Sequence, residues 1–127
     1  MIGRDNVIHQ KSMSFALRIV KMVEFLEKNF SYVHFPIFKQ ILKSGTSIGA
    51  NIRESQYAES TDDFVHKLKI ALKEANETEY WLDLLHNGEY ITMEQHDSMI
   101  IDCKELIKLL IAIINKTNSK KQLLCYL

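Results

Sequence analysis

The side chains best suited to metal chemistry in this sequence are its five histidines. A metal site in a helical protein needs several of them pointing together, as in inward-facing Glu-x-x-His pairs or an HExxH helix. The nearest patterns are Asp63-x-x-His66 and Asp83-x-x-His86, and HExxH does not occur. His66 lies two residues from Phe64, which places it on the outer side of a helix. We therefore expect solvated histidines and no metal site, with a metal-binding bundle as the least favoured alternative.

Residue patterns for catalysis and for nucleotide binding are equally weak. Gly45 and Gly49 do not stand in the GxxxxGK[ST] arrangement of a phosphate loop, and no predicted strand precedes them. Serine and cysteine residues occur without a nucleophile signature such as GxSxG. We therefore expect no catalytic residues, no cofactor and no small-molecule substrate, and the chain is predicted not to be an enzyme.

The composition restricts the class of protein. Sixteen basic and sixteen acidic side chains cancel, so the overall charge demands neither a polyanion nor a membrane surface as partner. Cys103 and Cys125 lie far apart, and no secretory signal precedes them, which predicts reduced thiols in a cytoplasmic protein. The longest apolar stretch, residues 109–114, is much shorter than the roughly 20 residues of a membrane helix.

Long helices must position these side chains, because one proline and four glycines leave few places to turn. The predicted fold class is all-α, an antiparallel up-down four-helix bundle in a single domain over residues 1–127. Amphipathic periods place the helices at about residues 12–29, 36–57, 61–87 and 92–117, followed by a C-terminal tail at 118–127. The tail is expected to fray, to extend the fourth helix or to dock on a partner subunit.

Capping residues mark the ends of the third and fourth helices. Ser60 is a candidate N-cap for the third helix, and Thr92 forms a capping box with Gln95 before the fourth. Gly88 follows the third helix, where a glycine suits a left-handed C-terminal cap.

Two glycines, Gly45 and Gly49, interrupt the apolar seam of the second predicted helix. Each costs about 1 kcal/mol relative to alanine, so we expect the close approach of a neighbouring helix to offset that cost. A strip of small or hydrogen-bonding side chains runs beside them and indicates a contact between chains, although a solvated helix face is the alternative. Its members are Ser44, Ser47, Asn51 and Glu54.

The third and fourth helices present more apolar surface than one bundle needs, which indicates self-association. A wide core under a flattened bundle is the alternative. The second strip of the third helix consists of Ile70, Glu74, Glu77, Trp81 and Leu84. The seam of the fourth helix is predicted at Met93, Ile100, Ile107 and Ile114 with Cys103 and Leu110 between them, and its surplus residues are Met99, Leu106 and Ile113.

The nucleic-acid hypothesis depends on local charge because the chain is neutral overall. Basic residues of the first two helices could form one surface that an oligomer would repeat around a ring. Ordinary solvated helix faces explain the same residues without any ligand, and we favour that interpretation. The candidates are Arg18, Lys21, Lys28, Lys39 and Lys43.

Two segments carry a resemblance to a known family. The stretch SGTSIGANIRES at residues 44–55, followed by Asp63-Phe64 and by KIALKEANETEYWL at residues 69–82, resembles the 23S ribosomal RNA intervening-sequence protein family of bacterial four-helix bundles. The family's recurring positions correspond here to Thr46, Ser47, Asn51, Glu54, Glu74, Glu77, Tyr80 and Trp81. The resemblance implies that these residues are structural or interfacial.

The resemblance also implies an assembly and a partner class. Relatives form pentameric rings, and one relative, the accessory protein of diversity-generating retroelements, pairs with a reverse transcriptase and binds nucleic acid through a basic surface. The leading hypothesis is a homopentameric scaffold or adaptor for RNA or for an RNA-handling protein. The alternative is a protein-only interaction module that binds no nucleic acid.

Overall fold

The computed structural model describes residues 6–126, which are helical apart from short connections and contain no strand. Its helices are α1 (Val7–Asn29), α2 (Phe35–Ser55), α3 (Thr61–Asn87) and α4 (Met93–Tyr126), with a 3-10 turn at Tyr32–His34. The four helices pack against one another as a bundle, which confirms the predicted fold class. Residues 1–5 and Leu127 lie outside the described range, and so do both predicted ends of the domain.

The helices pack mainly on their neighbours in sequence. The pairs α1–α2, α2–α3 and α3–α4 are in close contact, whereas α1 and α4 form the loosest of the four seams. Each helix contributes fully buried side chains to one core, for example Phe15, Phe38, Leu68 and Leu106. Because the connections between successive helices are short, neighbouring helices run antiparallel.

The first helix begins at Val7, well before the predicted start near Ser12. The side chain of Asn6 caps it by accepting a hydrogen bond from the backbone N–H of Ile8 at 3.0 Å. Ile8 is buried and extends the apolar seam. Ser12 is buried inside the helix, where its hydroxyl donates to the carbonyl of His9 at 3.2 Å.

The glycines of α2 bring it close to α1. A Cβ atom at Gly45 would lie 2.7 Å from Cγ1 of Ile19, and one at Gly49 would lie 3.4 Å from the hydroxyl of Ser12. The predicted close approach of a neighbouring helix is therefore confirmed. Both glycines face α1 within the same chain, so they give no support to a contact between chains. The second helix ends at Ser55, slightly before the predicted limit at 57.

The predicted N-caps of α3 and α4 are confirmed. The hydroxyl of Ser60 accepts from the backbone N–H of Asp63 at 3.0 Å. Gln95 and Thr92 form a reciprocal capping box, with N–H to side-chain oxygen distances of 2.9 and 3.1 Å. These bonds fix the starts of the two helices that carry most of the acidic residues.

The left-handed residue after α3 is not Gly88, as predicted, but Glu89. Gly88 has a φ of −84°, whereas Glu89 has a φ of 63°. Glycine is required at 88 for a different reason, because a Cβ there would lie 2.8 Å from the ring of Tyr90. The left-handed backbone conformation of this turn is therefore adopted by Glu89, a residue with a Cβ, for which that conformation is unfavourable.

The fourth helix continues to Tyr126 instead of ending near Thr117. Of the alternatives for the C-terminal tail, the structure shows an extension of the helix, with Leu127 outside the described residues. The segment contains neither proline nor glycine to end it, and Lys121 pairs with Asp62 at the start of α3. Leu123 and Leu124, at 65% and 72% exposed, contact little of the chain's own surface.

The core face of α4 matches the predicted seam in part, because Cys103, Leu110 and Ile114 are buried as predicted and the other three positions are not. Met93 is exposed, and Ile100 and Ile107 are half-buried. The buried positions are Met99, Cys103, Leu106, Leu110 and Ile114. Met99 and Leu106, which the pattern assigned to a surplus surface, are therefore core residues, and the case for self-association from this helix is weaker than predicted. The apolar residues on α4 are dense enough that spacing alone fits two adjacent faces.

Candidate functional site

The predicted interface residues lie on the neighbouring helices α2 and α3, and we call this set the α2–α3 face. It comprises Ser47, Asn51 and Glu54 of α2 together with Ile70, Glu74, Glu77, Trp81 and Leu84 of α3. Two contacts show that these parts of α2 and α3 are close to each other. Glu54 of α2 lies 4.0 Å from Lys67 of α3. In the buried layer beneath them, Thr78 Oγ1 of α3 lies 2.9 Å from Ser44 Oγ of α2. The fold therefore brings together residues of α2 and α3 that are far apart in the sequence.

The polar side chains of this face on α2 have partners within their own helix. The hydroxyl of Ser47 donates to the carbonyl of Lys43 at 2.6 Å, and the amide of Asn51 donates to the carbonyl of Ser47 at 2.8 Å. Ser44, the fourth residue of the predicted strip, is fully buried. Among the described residues, every buried side-chain nitrogen or oxygen has a partner, so no polar group of the strip requires a second chain to satisfy it.

The aromatic part of the face is a ridge on α3. Trp81 is half-buried against the core, and its indole N–H donates to the carboxylate of Glu77 at 3.1 Å. The ring of Tyr80 meets it edge-on at 4.9 Å between centroids, and Tyr80 is 58% exposed. Large amphipathic side chains placed in this way are typical of interface anchors.

The carboxylates of this face repel each other. Burial raises the pKa of Glu74 above 4.5, the negative charge of Glu77 raises it further, and Lys43 and Lys73 act in the opposite direction. The two acids are three residues apart on one helix, where like charges are neighbours. An additional positive charge beside Glu74 and Glu77, which a partner molecule can supply, would reduce this repulsion.

The basic candidates do not form a single surface. Arg18 is committed to α4, with its guanidinium 2.5 Å from Asp102 and 2.8 Å from the hydroxyl of Ser98. Lys21 lines the groove between α1 and α4. Lys43 is elsewhere, close enough to Glu74 of the α2–α3 face for its positive charge to act to lower the pKa of that carboxyl. The remaining two candidates, Lys28 and Lys39, are exposed near the turn between α1 and α2.

An apolar surface that the sequence reasoning missed lies on α1. Met13, Leu17 and Phe25 are 49%, 56% and 45% exposed. Leu17 and Phe25 line a groove of about 470 Å³ between α1 and α4, with Met22 and Met99 beside them. Their spacing of 4 and 8 residues, out of phase with the core seam, is the signal that could have identified this surface.

A second groove, of about 530 Å³, lies between α1 and α2 and includes Met13, Gly49 and Arg53. Beside it the ring of His9 is 3.1 Å from the amide nitrogen of Gln56. The groove exists because the small residues of α2 face the first helix.

His96 and His86 are tied to structural contacts at the start of α4. His96 lies 2.8 Å from Asp83 and 2.9 Å from Asp97, and it stacks on His86 at 4.8 Å. Partial burial lowers the pKa of His96, but the hydrogen bonds to Asp83 and Asp97 outweigh it and raise the pKa above 6.5. Between residues 6 and 126, His, Cys, Asp and Glu side chains form no group of three or more that could hold a metal ion.

The two cysteines have different surroundings. Cys103 is fully buried and contacts the carbonyl of Ala75 at 3.3 Å, and burial raises the pKa of its thiol to about 12. Cys125 is exposed near the end of α4. Cys103 is not placed as an activated nucleophile, because a reactive cysteine needs a lowered pKa.

None of the helices that the described residues form combines the length and apolar character needed to cross a bilayer.

Comparison with known proteins identifies the family. The sequence model of the 23S rRNA-intervening sequence proteins matches residues 4–112. A solved structure from Bacteroides thetaiotaomicron, a protein of unknown function from the S23 ribosomal protein family, is 56% identical with a TM-score of 0.79 and covers 85% of this chain and 98% of that chain. No protein of curated function matches the chain. The chain therefore belongs to the 23S rRNA-intervening sequence protein family.

Proposed function

We propose that the chain is a non-enzymatic, homo-oligomeric scaffold or adaptor for RNA or for an RNA-handling protein. The observation that carries the oligomeric part is the exposed apolar surface of α1, where Leu17 and Phe25 project at 56% and 45% exposure beside a polar rim. Large apolar side chains that are exposed along one groove and bordered by polar ones mark an interaction surface. Five copies is the number that the family resemblance implies.

The α2–α3 face supports assembly through a second, chemically different surface. It offers the half-buried ring of Trp81 and the mutually repelling carboxylates of Glu74 and Glu77. A contact between the α1 surface of one copy and the α2–α3 face of the next is heterologous, and such contacts close into rings when the rotation between copies is suitable. The RNA part of the proposal is supported by the family to which the chain belongs.

Light scattering after size exclusion, at micromolar concentration, tests the assembly. We expect a mass several times the 14.8 kDa of one chain. The double substitution Leu17→Gln and Phe25→Gln should shift the mass towards one chain, whereas Val33→Gln, which changes another exposed apolar residue, should leave it unchanged. A monomeric wild-type chain would reject the oligomeric part of the proposal.

The RNA part is tested by titrating a structured RNA into the purified protein at several salt concentrations. If phosphate contacts dominate, the logarithm of the affinity falls linearly with the logarithm of the salt concentration. Absence of binding at low salt would reject this part and leave the oligomer standing.

A protein-only interaction module is the second candidate. The zero net charge and the pairing of Arg18 with Asp102 favour it, because both reduce attraction to phosphate. It predicts a partner protein that remains bound after nuclease treatment, with no RNA affinity in the titration.

A further inference from the structure

Charge is distributed unevenly along α4. Its last acidic residue is Glu105, and the sequence beyond it contains Lys108, Lys116, Lys120 and Lys121 but neither aspartate nor glutamate. The C-terminal part of this helix is therefore uniformly positive, although the chain as a whole is neutral. A local block of one sign attracts a ligand of the other sign regardless of net charge.

Three of these four lysines, Lys108, Lys116 and Lys120, form no ion pair among the described residues, and the last two lie close together. Lys121 pairs with Asp62, but no carboxylate of the described residues lies within ion-pair distance of Lys116 or Lys120. Arg18, in contrast, is paired with Asp102 across the α1–α4 seam. The C-terminal part of α4 therefore carries positive charge that the described carboxylates do not pair, unlike Arg18.

Lys116 and Lys120 share a groove of about 310 Å³ between the C-terminal part of α4 and the start of α3. They are one helical turn apart, so their side chains lie on neighbouring positions of one surface. Phe64 and Ile113 supply apolar parts of the lining, Thr61 contributes a hydroxyl, and none of the lining residues is acidic. Two ammonium groups beside a hydroxyl suit a phosphate.

We propose that this groove binds backbone phosphates of RNA through Lys116 and Lys120. The inference rests on the proposed function, from which it takes RNA as the ligand, and it adds the position of the contact. Both lysines lie beyond residue 112, where the match to the family model ends. The proposed contact therefore lies outside the matched residues, and it is separate from the apolar surfaces assigned to assembly.

The experiment compares two double variants of the full chain that remove the same charge. Lys116→Gln with Lys120→Gln removes the proposed contact, and Lys69→Gln with Lys73→Gln removes two other exposed lysines that are also one helical turn apart. Affinity for one structured RNA is measured by fluorescence anisotropy over a salt series. We expect the first variant to bind about tenfold more weakly, with the salt slope reduced by about 2, and the second to stay within about twofold of wild type.

Three results would overturn the inference, and they are distinguishable. Equal weakening in both double variants means that the contact is not in this groove, while the proposed function stands. Absence of RNA binding by the wild-type chain at low salt rejects the RNA function as well. Loss of a nuclease-resistant partner protein in the first variant, with RNA affinity unchanged, assigns the groove to a protein. Lys116→Arg with Lys120→Arg should retain RNA binding, and unchanged circular dichroism shows that each variant is folded.

Discussion

Replacing Gly45 with alanine tests the packing of α2 on α1 directly. The added methyl would lie 2.7, 3.0 and 3.1 Å from three carbon atoms of Ile19, whereas carbon atoms in contact prefer about 3.5 to 4.0 Å. Ile19 is fully buried, so its side chain has no solvent-exposed space into which it can move. The two helices must separate, or Ile19 must leave its preferred rotamer.

Two opposing terms set the size of the effect. Alanine in place of glycine inside a helix stabilises it by about 1 kcal/mol. An extra methyl in a well-packed core costs about 1 to 3 kcal/mol, and three contacts this short place Gly45 at the upper end. The free energy of unfolding should therefore fall by about 2 kcal/mol, which corresponds to about 7 °C in melting temperature for a chain of this size.

Gly49→Ala is the matched control on the same helix. Its added methyl would lie 3.4 Å from the hydroxyl oxygen of Ser12, an ordinary contact distance. The helix-propensity term then prevails, and the variant should be more stable than wild type by up to about 1 kcal/mol. The same substitution, one helical turn further on, is thus expected to change stability in the opposite direction.

Urea denaturation followed by circular dichroism measures both effects at one protein concentration, because association alters apparent stability. We expect the midpoint to fall for Gly45→Ala and to rise for Gly49→Ala. A double-mutant cycle with Ile19→Ala should show coupling, since the smaller side chain makes room for the methyl. A Gly45→Ala variant at least as stable as wild type would refute the reasoning.

Three further predictions concern α3, the turn after it and α4. Glu89→Gly should raise the melting temperature by about 4 °C because it removes the cost of a Cβ at a φ of 63°, whereas Glu89→Ala, measured in the same thermal scan, should give no such gain. The folded-state pKa of His96 is raised above 6.5, so its contribution to stability is present below about pH 6.5 and is lost as the pH rises through the raised value. His96→Gln should therefore flatten the pH profile of the urea midpoint. An unchanged profile would contradict the assignment. Under native conditions at pH 8, iodoacetamide should label the exposed Cys125 and leave Cys103 unmodified, because Cys103 is buried and burial raises the pKa of its thiol to about 12. Mass spectrometry of the peptides measures the labelling at each cysteine. Early labelling of Cys103 would contradict the prediction.

Local signals in the sequence were sufficient for the helices whose ends carry caps. Ser60 and the Thr92–Gln95 pair form the predicted hydrogen bonds, because a cap is decided by a few adjacent residues. The start of α1 was placed about five residues too late, because the Asn6 cap and the buried Ile8 were not recognised as part of the helix. The end of α4 was placed too early although the sequence contains neither proline nor glycine there to stop the helix.

Properties that depend on neighbouring helices were not accessible from periodicity. The phase of α4 is set by contacts such as Cys103 with the carbonyl of Ala75, and spacing alone favoured Ile100 over Met99. The partners of charged groups were equally hidden. Arg18 is a basic candidate in the sequence but an ion pair in the fold, whereas the isolated charges of Lys116 and Lys120 become evident only when the acidic residues around them are located.

The order of packing along the chain also bears on how the molecule folds. Three of the four seams join helices that follow one another, so each needs only a short loop to close, which is the topology of fast-folding proteins. The α1–α4 seam is different, because the Arg18–Asp102 pair spans 84 residues. We expect hairpins to form first and this seam last, with the amides of α1 exchanging with solvent sooner than those of the central α2–α3 pair.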